Sequence, residues 1–212
     1  NWVAKDGDYS VGHYEHAGWF KGHIELEGER IEIDCGALRD RGWGPRHADI
    51  KDPLRAGWPY CFASPQSGFH LYDPQTTLSF EEDPIEGTTE TITTGLYIRD
   101  GVKAQVVSGT RTAVRGRDGR VLSQVIDAVD ELGRELHAEG QTMNWLKWPI
   151  NSDIINWWSM VKWEFDGQVA YGEDQDFMNF RHYRRYWRRL LEKDPGLLHC
   201  FPDSPDYPPY GK

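Results

Sequence analysis

Apolar and polar residues alternate with a period of two along much of this chain, and pairs of an acidic residue and a glycine interrupt the alternation. No other sequence feature narrows the possible folds as far. From His23 the chain reads HIELEGERIEID. Ile24 and Leu26 alternate with charged residues, Glu27-Gly28 supplies a turn, and Ile31 and Ile33 resume the alternation. Successive strand side chains point to opposite faces, so this segment predicts a hairpin with one wet face. A second hairpin is predicted from about Gly109 to Val129 around Asp118-Gly119, a dipeptide suited to the tightest hairpin turns. Its return strand, VLSQVIDAVDEL, is apolar on both faces in places and suits a central position. Asp100-Gly101 between LYIR and VKAQVV marks another turn, as does Asp166-Gly167 between Lys162–Phe165 and Gln168–Tyr171. Gly133 precedes a further strand from Glu135 to Thr142. Short strands joined by tight turns predict an all-β protein, an antiparallel barrel or sandwich meander.

Two stretches break the pattern. Residues 45–87 carry Pro45, Pro53, Pro59, Pro65, Pro74 and Pro84, which predicts loops with short strands. Residues 144–160, NWLKWPINSDIINWWSM, bring Trp145, Trp148, Trp157 and Trp158 around Pro149, either as a lid at a barrel mouth or as a crowded connection between sheets. One helix is predicted from Asp176 to Glu192, capped by Asp174 or Asp176. Phe177, Phe180, Tyr183, Trp187 and Leu190 would form its apolar face, with arginines concentrated later. The expected organisation is part of a first β domain over residues 1–85, a second barrel-like domain over 86–175, the helix over 176–192 and a proline-rich tail over 193–212.

Composition removes several function classes. A formal net charge of −10 over 212 residues disfavours nucleic acid, because neutralising phosphates needs a basic surface. No apolar run approaches the roughly 18 residues of a membrane helix. Cys35, Cys61 and Cys200 are widely spaced and odd in number, which predicts reduced thiols in a cytoplasmic protein. Ten Trp, ten Tyr and eight Phe would line an interior suited to a ring-bearing guest. The sequence has no GxGxxG, P-loop, GxSxG or HExxH, so hydride transfer, phosphoryl transfer and triad hydrolysis lack their usual marks.

Two segments carry a resemblance. GHYEHAGWFKGHIELEGERIEIDCGALRDRGWGPR spans residues 12–46, and SQVIDAVDELGRELHAEGQT through VKWEFDGQVAYGEDQ spans residues 123–175. Together they resemble the bacterial two-domain lipocalin-like proteins, a group fold-related to carotenoid 1,2-hydratase and the lipocalin-like Diels–Alderases. Arg41 and Gly42 stand where the family pattern usually has His and Ser. The chain resembles the later part of such proteins. The resemblance implies β-barrel-like domains around a hydrophobic site, without a metal or organic cofactor. It also implies activities that add or remove water, or shape a pericyclic reaction, on lipophilic polyenes.

The sharpest constellation of reactive groups is His13, Tyr14 and Glu15 with Arg39, Asp40, Trp43 and Arg46. On a strand, Tyr14 faces away from His13 and Glu15, so either the phenol or the imidazole and carboxylate enter a pocket. Both are usable acid–base sets. The expected catalytic groups are Tyr14, Glu15 and Asp40. His13, Arg39, Trp43, Arg46, Trp145, Trp157 and Trp158 are expected to contact substrate. The competing structural account has Asp40 pairing with Arg39 or Arg46 to hold the RDRGWGPR loop, and Trp43 plugging a barrel end. His13, His16 and His23 do not form a metal set, because His13 and His16 point to opposite faces and no local carboxylate completes one. His137 and Asp127 could face the interior. The expected function is a cofactor-independent lyase or isomerase for a hydrophobic or aromatic small molecule, such as a terpenoid, polyene or phenylpropanoid-like compound. The alternative is a non-catalytic carrier of such a ligand. The expected protein partner is a second copy or an upstream domain that completes the pocket.

Overall fold

The computed structural model describes residues 2–3, 12–44, 55–75, 88–116, 118–150, 154–193 and 195. A small antiparallel sheet contains β1 (Trp2–Val3), β2 (Gly12–Leu26) and β3 (Glu29–Trp43). The rest of the strands are β4 (Arg55–Ser64), β5 (Ser67–Gln75), β6 (Thr88–Ile92), β7 (Thr94–Arg99), β8 (Val102–Arg115), β9 (Val121–Asp130), β10 (Glu135–Pro149), β11 (Ile154–Phe165) and β12 (Gln168–Asn179). Each pairs antiparallel with its neighbour, β8 pairs with β9, and β12 returns to β4, so the meander closes on itself. β6 and β7 both pair with β8, one along each half, and behave as a single strand broken at Thr93. The result is an all-β, eight-stranded antiparallel lipocalin-like barrel followed by α1 (Phe180–Lys193), as the alternation predicts. No helix among the described residues is long and apolar enough to cross a membrane.

Three turns sit where acidic–glycine pairs place them, whereas at Asp118-Gly119 β8 stops at Arg115 and β9 resumes at Val121, a longer connection than a two-residue turn. Glu27 and Gly28 have φ of 52° and 84°, Asp100 and Gly101 of 53° and 76°, and Asp166 and Gly167 of 51° and 71°. Two consecutive residues with positive φ give the turn whose twist matches the flanking strands.

The pleat sorts the barrel interior into three layers. In the first, Cys61, Phe69, Leu71, Tyr97, Ile126, Ala138, Val161 and Trp163 all have 0% exposure. The middle layer is ionic. Arg111 donates to Asp73 at 2.9 Å, to Asp174 at 2.5 Å and to Gln124 at 2.5 Å. Arg115 donates to Asp176 at 2.6 Å and to Glu90 at 2.9 Å, and Arg55 pairs with Glu90. Above it lie Ile155, Trp157 and Met178, against which Trp145 and the helix residues Phe180 and Tyr183 pack. Lys147 Nζ donates to Tyr183 Oη at 2.8 Å, and the Tyr183 ring lies 5.4 Å from Trp157. The helix therefore closes this end of the barrel.

Four expectations are corrected. The boundary at residue 85/86 does not divide the sheet, because β4 and β5 hydrogen-bond into the same barrel as the later strands. Within 45–87, β4 and β5 are full-length strands despite Pro59 and Pro74. The paired positions between them omit Trp58 and Pro59, so the missing proline N–H falls at a gap in the ladder. Asp174 and Asp176 do not cap the helix. β12 runs on to Asn179, and alternation turns both carboxylates inward to the arginines. The ring-lined, roomy interior is instead, among the described residues, filled with buried aliphatic, aromatic and ion-paired side chains.

Candidate active site

A strand that buries Cys61, Phe69 and Leu71 must turn its alternate residues outward. On β4 and β5 these are Trp58, Tyr60, Phe62, His70 and Tyr72, an aromatic panel on the outside of the barrel. Trp58 holds it together, 4.5 Å from Tyr72, 5.7 Å from Phe177 and stacked on His70 at 6.1 Å between ring centres. The base of the β2–β3 hairpin lies over this panel, while its tip, residues 21–30, projects into solvent. Gly36 permits the approach, since a side chain there would strike the Phe62 backbone and Cβ. Tyr60 donates its hydroxyl to Glu173 at 2.9 Å.

Between hairpin and panel is a groove of about 700 Å³, lined by His13, Glu15, Leu38, Trp58, His70 and Tyr72 among others. Register brings its reactive groups together. His13 and Glu15 are two apart on β2 and share a face, and Asp40 sits directly across from Glu15 on β3. His13 Nε2 donates to Asp40 Oδ1 at 2.6 Å. His70, reaching up from β5, places Nδ1 3.3 Å from Glu15 Oε2. A ring nitrogen of His13 and a carboxylate oxygen from each of Glu15 and Asp40 lie within 4.8 Å of one another. Burial, with His13 nearby, pushes His70 down to about 3, so its ring is neutral. Its Nε2 is buried without a hydrogen-bond partner among the described residues.

The alternation thus selects the imidazole and carboxylate set for the groove and turns Tyr14 away. The Tyr14 ring packs edge-on to Trp43 at 6.2 Å, and the Arg39 guanidinium lies 5.6 Å from its centre. Tyr14, Arg39 and Trp43 therefore form a separate outward cluster, and Trp43 plugs no barrel end. Arg46 lies outside the described residues. Trp157 is wholly buried at the closed end with Trp145 beside it, and Trp158 is on the outer surface, so none of the three is among the residues that line the groove. His137 and Asp127 face solvent, paired at 2.6 Å. Carboxylates do stand beside His13, one on its own strand and one on the strand opposite.

Sequence reasoning missed Trp58, His70 and Tyr72. Their signal was available in the alternation of GFHLYD, where Phe69 and Leu71 point one way and His70 and Tyr72 the other. It also missed the ionic layer, whose trace is the placement of Arg111 and Arg115 in phase with Ala113 on β8. Burial, then repulsion from Arg115, pushes Arg55 down to about 9, while Asp174 is raised by burial and by Asp176 and Asp73. Asp176 is held below the ordinary carboxylate range, where the arginines outweigh its desolvation. Of the cysteines, Cys35 and Cys61 are free thiols; Cys61 is buried and its pKa is pushed up to about 12.

A family model described as a domain of unknown function, DUF7064, matches residues 1–174. Searches of curated proteins and of solved structures found no match.

Proposed function

The chain belongs to the DUF7064 family, and we propose that it is a lyase or isomerase that moves protons on a hydrophobic or aromatic small molecule held between the β2–β3 hairpin and the barrel wall. The observation that carries this reading is the convergence of two imidazole–carboxylate pairs, His13–Asp40 and His70–Glu15, on one aromatic-walled groove. Glu15, whose carboxylate lines the groove 3.3 Å from His70 Nδ1, is the base, and His70 orients it. That base takes a proton from a substrate carbon. The His13–Asp40 pair supplies a proton to a departing oxygen in a dehydration, or to another carbon in an isomerisation. Positioned groups of this kind contribute about 10²–10⁴-fold each. Trp58 and Tyr72 offer faces to a flat or polyene-like guest, and Leu38 and Leu96 offer apolar contact. The resemblance to lipocalin-like hydratases and Diels–Alderases supports the same substrate class. The free thiols support a reducing, cytoplasmic setting.

Allylic alcohols and aryl-propenoids incubated with the protein in D2O, followed by proton NMR, test the proposal. Wild type is expected to eliminate water or exchange carbon-bound hydrogen. Glu15→Gln and His70→Asn should each slow this at least tenfold, and Tyr14→Phe should leave it within twofold. Compounds that bind but never exchange or eliminate would make the protein a carrier.

A further inference from the structure

We propose that the face of the β2–β3 hairpin turned away from the barrel docks on the same face of a second copy of this chain, the two hairpins stacking antiparallel about a two-fold axis. β2 and β3 pair without interruption from Gly12↔Trp43 to Leu26↔Glu29, so alternation sorts the hairpin into two faces. One carries His13, Glu15 and Leu38 toward the groove and, farther along, the ion pairs Lys21–Asp34 at 3.3 Å and Arg30–Glu32 at 2.6 Å. The other carries Phe20, Ile24, Leu26, Ile31, Ile33 and Cys35, and no charged residue interrupts them. Phe20 is 49% exposed, Ile24 48%, Leu26 60% and Ile31 42%. The barrel packs on the first face, where Gly36 approaches Phe62, and leaves the apolar one open among the described residues. A two-stranded ribbon is marginal by itself, and a contiguous apolar face of this extent marks an interaction site.

Shape and charge choose a second copy as the occupant. An axis crossing the strands between the Phe20–Cys35 and Gly22–Ile33 rows sets β2 on β2 and β3 on β3 with their directions reversed. Phe20 then falls on the partner's Gly22, Ile24 on the partner's Gly18 and Ile31 on the partner's Ala37, so a large side chain meets a small residue each time. The same register sets Glu29, at the acidic tip, on the partner's Arg39, at the basic end of the apolar stripe, and both residue types are exposed. Each barrel lies on the far side of its own hairpin, so the apolar faces can approach to the roughly 10 Å of packed sheets. The stripe offers on the order of 500–600 Å² per copy, and a total of about 1,000–1,200 Å² reaches the smaller specific interfaces. A membrane offers no counterpart to the matched large and small residues, and a net charge of −10 opposes anionic lipid. The interface lies opposite the groove and does not depend on the groove's chemistry.

The test is sedimentation velocity on the untagged full chain from low to high micromolar concentration, with near-ultraviolet circular dichroism as the check on folding. A reversible monomer–dimer equilibrium is expected. Ile24→Asp, on the projecting part of the hairpin, should weaken it at least tenfold. Gly18→Leu is the sharper variant. The nearest atom to a Cβ at Gly18 is Phe20 Cε2 at 3.7 Å, so the monomer accepts a side chain there. In the dimer that space holds the partner's Ile24, and the leucine should weaken association at least tenfold, whereas unspecific apolar clustering would be strengthened by it. Glu29→Arg and Arg39→Glu should each weaken dimerisation at least threefold, and the double variant should return to within twofold of wild type. Wild type that stays monomeric throughout would overturn the proposal, and monomer that floats with phosphatidylcholine vesicles would assign the face to a membrane instead. Gly18→Leu protein that associates as tightly as wild type, or a double variant no tighter than either single one, would overturn it as well.

Discussion

Arg111 shows how a single side chain sets the terms for its neighbours. Wholly buried, it spans from Asp73 on β5 to Asp174 on β12, with Glu90 and Gln124 beside it. Desolvation opposes its charge, and the surrounding carboxylates reverse that and hold it protonated above the ordinary arginine value. Such a pair adds little net stability compared with a packed apolar layer, but removing one member strands the other. Arg111→Met is therefore expected to cost about 3–5 kcal/mol, read from urea denaturation. Arg188→Ala, on the exposed side of α1, should stay within about 0.5 kcal/mol of wild type. At this scale the sequence disclosed half of the candidate site. His13, Glu15 and Asp40 were legible because strand alternation and the RDRGWGPR motif put them in view together, although Arg39–Trp43 proves to be strand and not loop. His70 was not, because its place depends on β5 passing beneath a hairpin far upstream in the sequence. Trp145, Trp157 and Trp158 misled because residues close in a strand sequence are divided between its faces.

Among the elements, turns were the most legible and the start of the helix the least. At Glu27-Gly28, Asp100-Gly101 and Asp166-Gly167 both positions of the acidic–glycine pair take positive φ, as a two-residue hairpin turn requires. At Gly101, φ is 76°, so Gly101→Val is expected to destabilise by about 1–2 kcal/mol, measured as a shift in urea midpoint at constant slope. The boundary between β12 and α1 was harder to place. Phe177, Phe180, Tyr183 and Trp187 fit a helical face, yet Asp174, Asp176 and Met178 fit a strand equally well. Tertiary pairing with the buried arginines and with β4 decides for the strand. The helix then matters as the barrel's closure. Tyr183→Ala removes the contact with Trp157 and the bond from Lys147, and should cost about 1–3 kcal/mol. Its readout is earlier hydrogen exchange at Ile155 and Trp157, with the strands around Trp163 unaffected.

Taken as a molecule, the chain is a closed barrel with a filled interior and a hairpin laid across its flank. Closure was legible from the number and spacing of strands. The packed interior was not, since alternation says which face a residue takes but not whether the two sides of a barrel meet. The ionic layer gives the whole protein a pH signature. Asp174 has a raised pKa in the folded state, so its contribution is fully present below the unfolded carboxylate value of about 4 and is lost as pH rises through the raised value. Compared with Asp174→Asn, wild type should therefore lose relative stability as pH increases from 4 toward 8. Parallel profiles for the two proteins would show that Asp174 is not titrating abnormally. Function, on this account, has moved from the barrel's inside to its outer wall. The measurement that bears on this most directly is a crystal structure of the protein soaked with an aryl-propenoid. Electron density for the compound is predicted against Trp58 and Tyr72, with a reactive carbon facing Glu15. Density within the barrel among Ile126, Val161 and Trp163 would contradict the account.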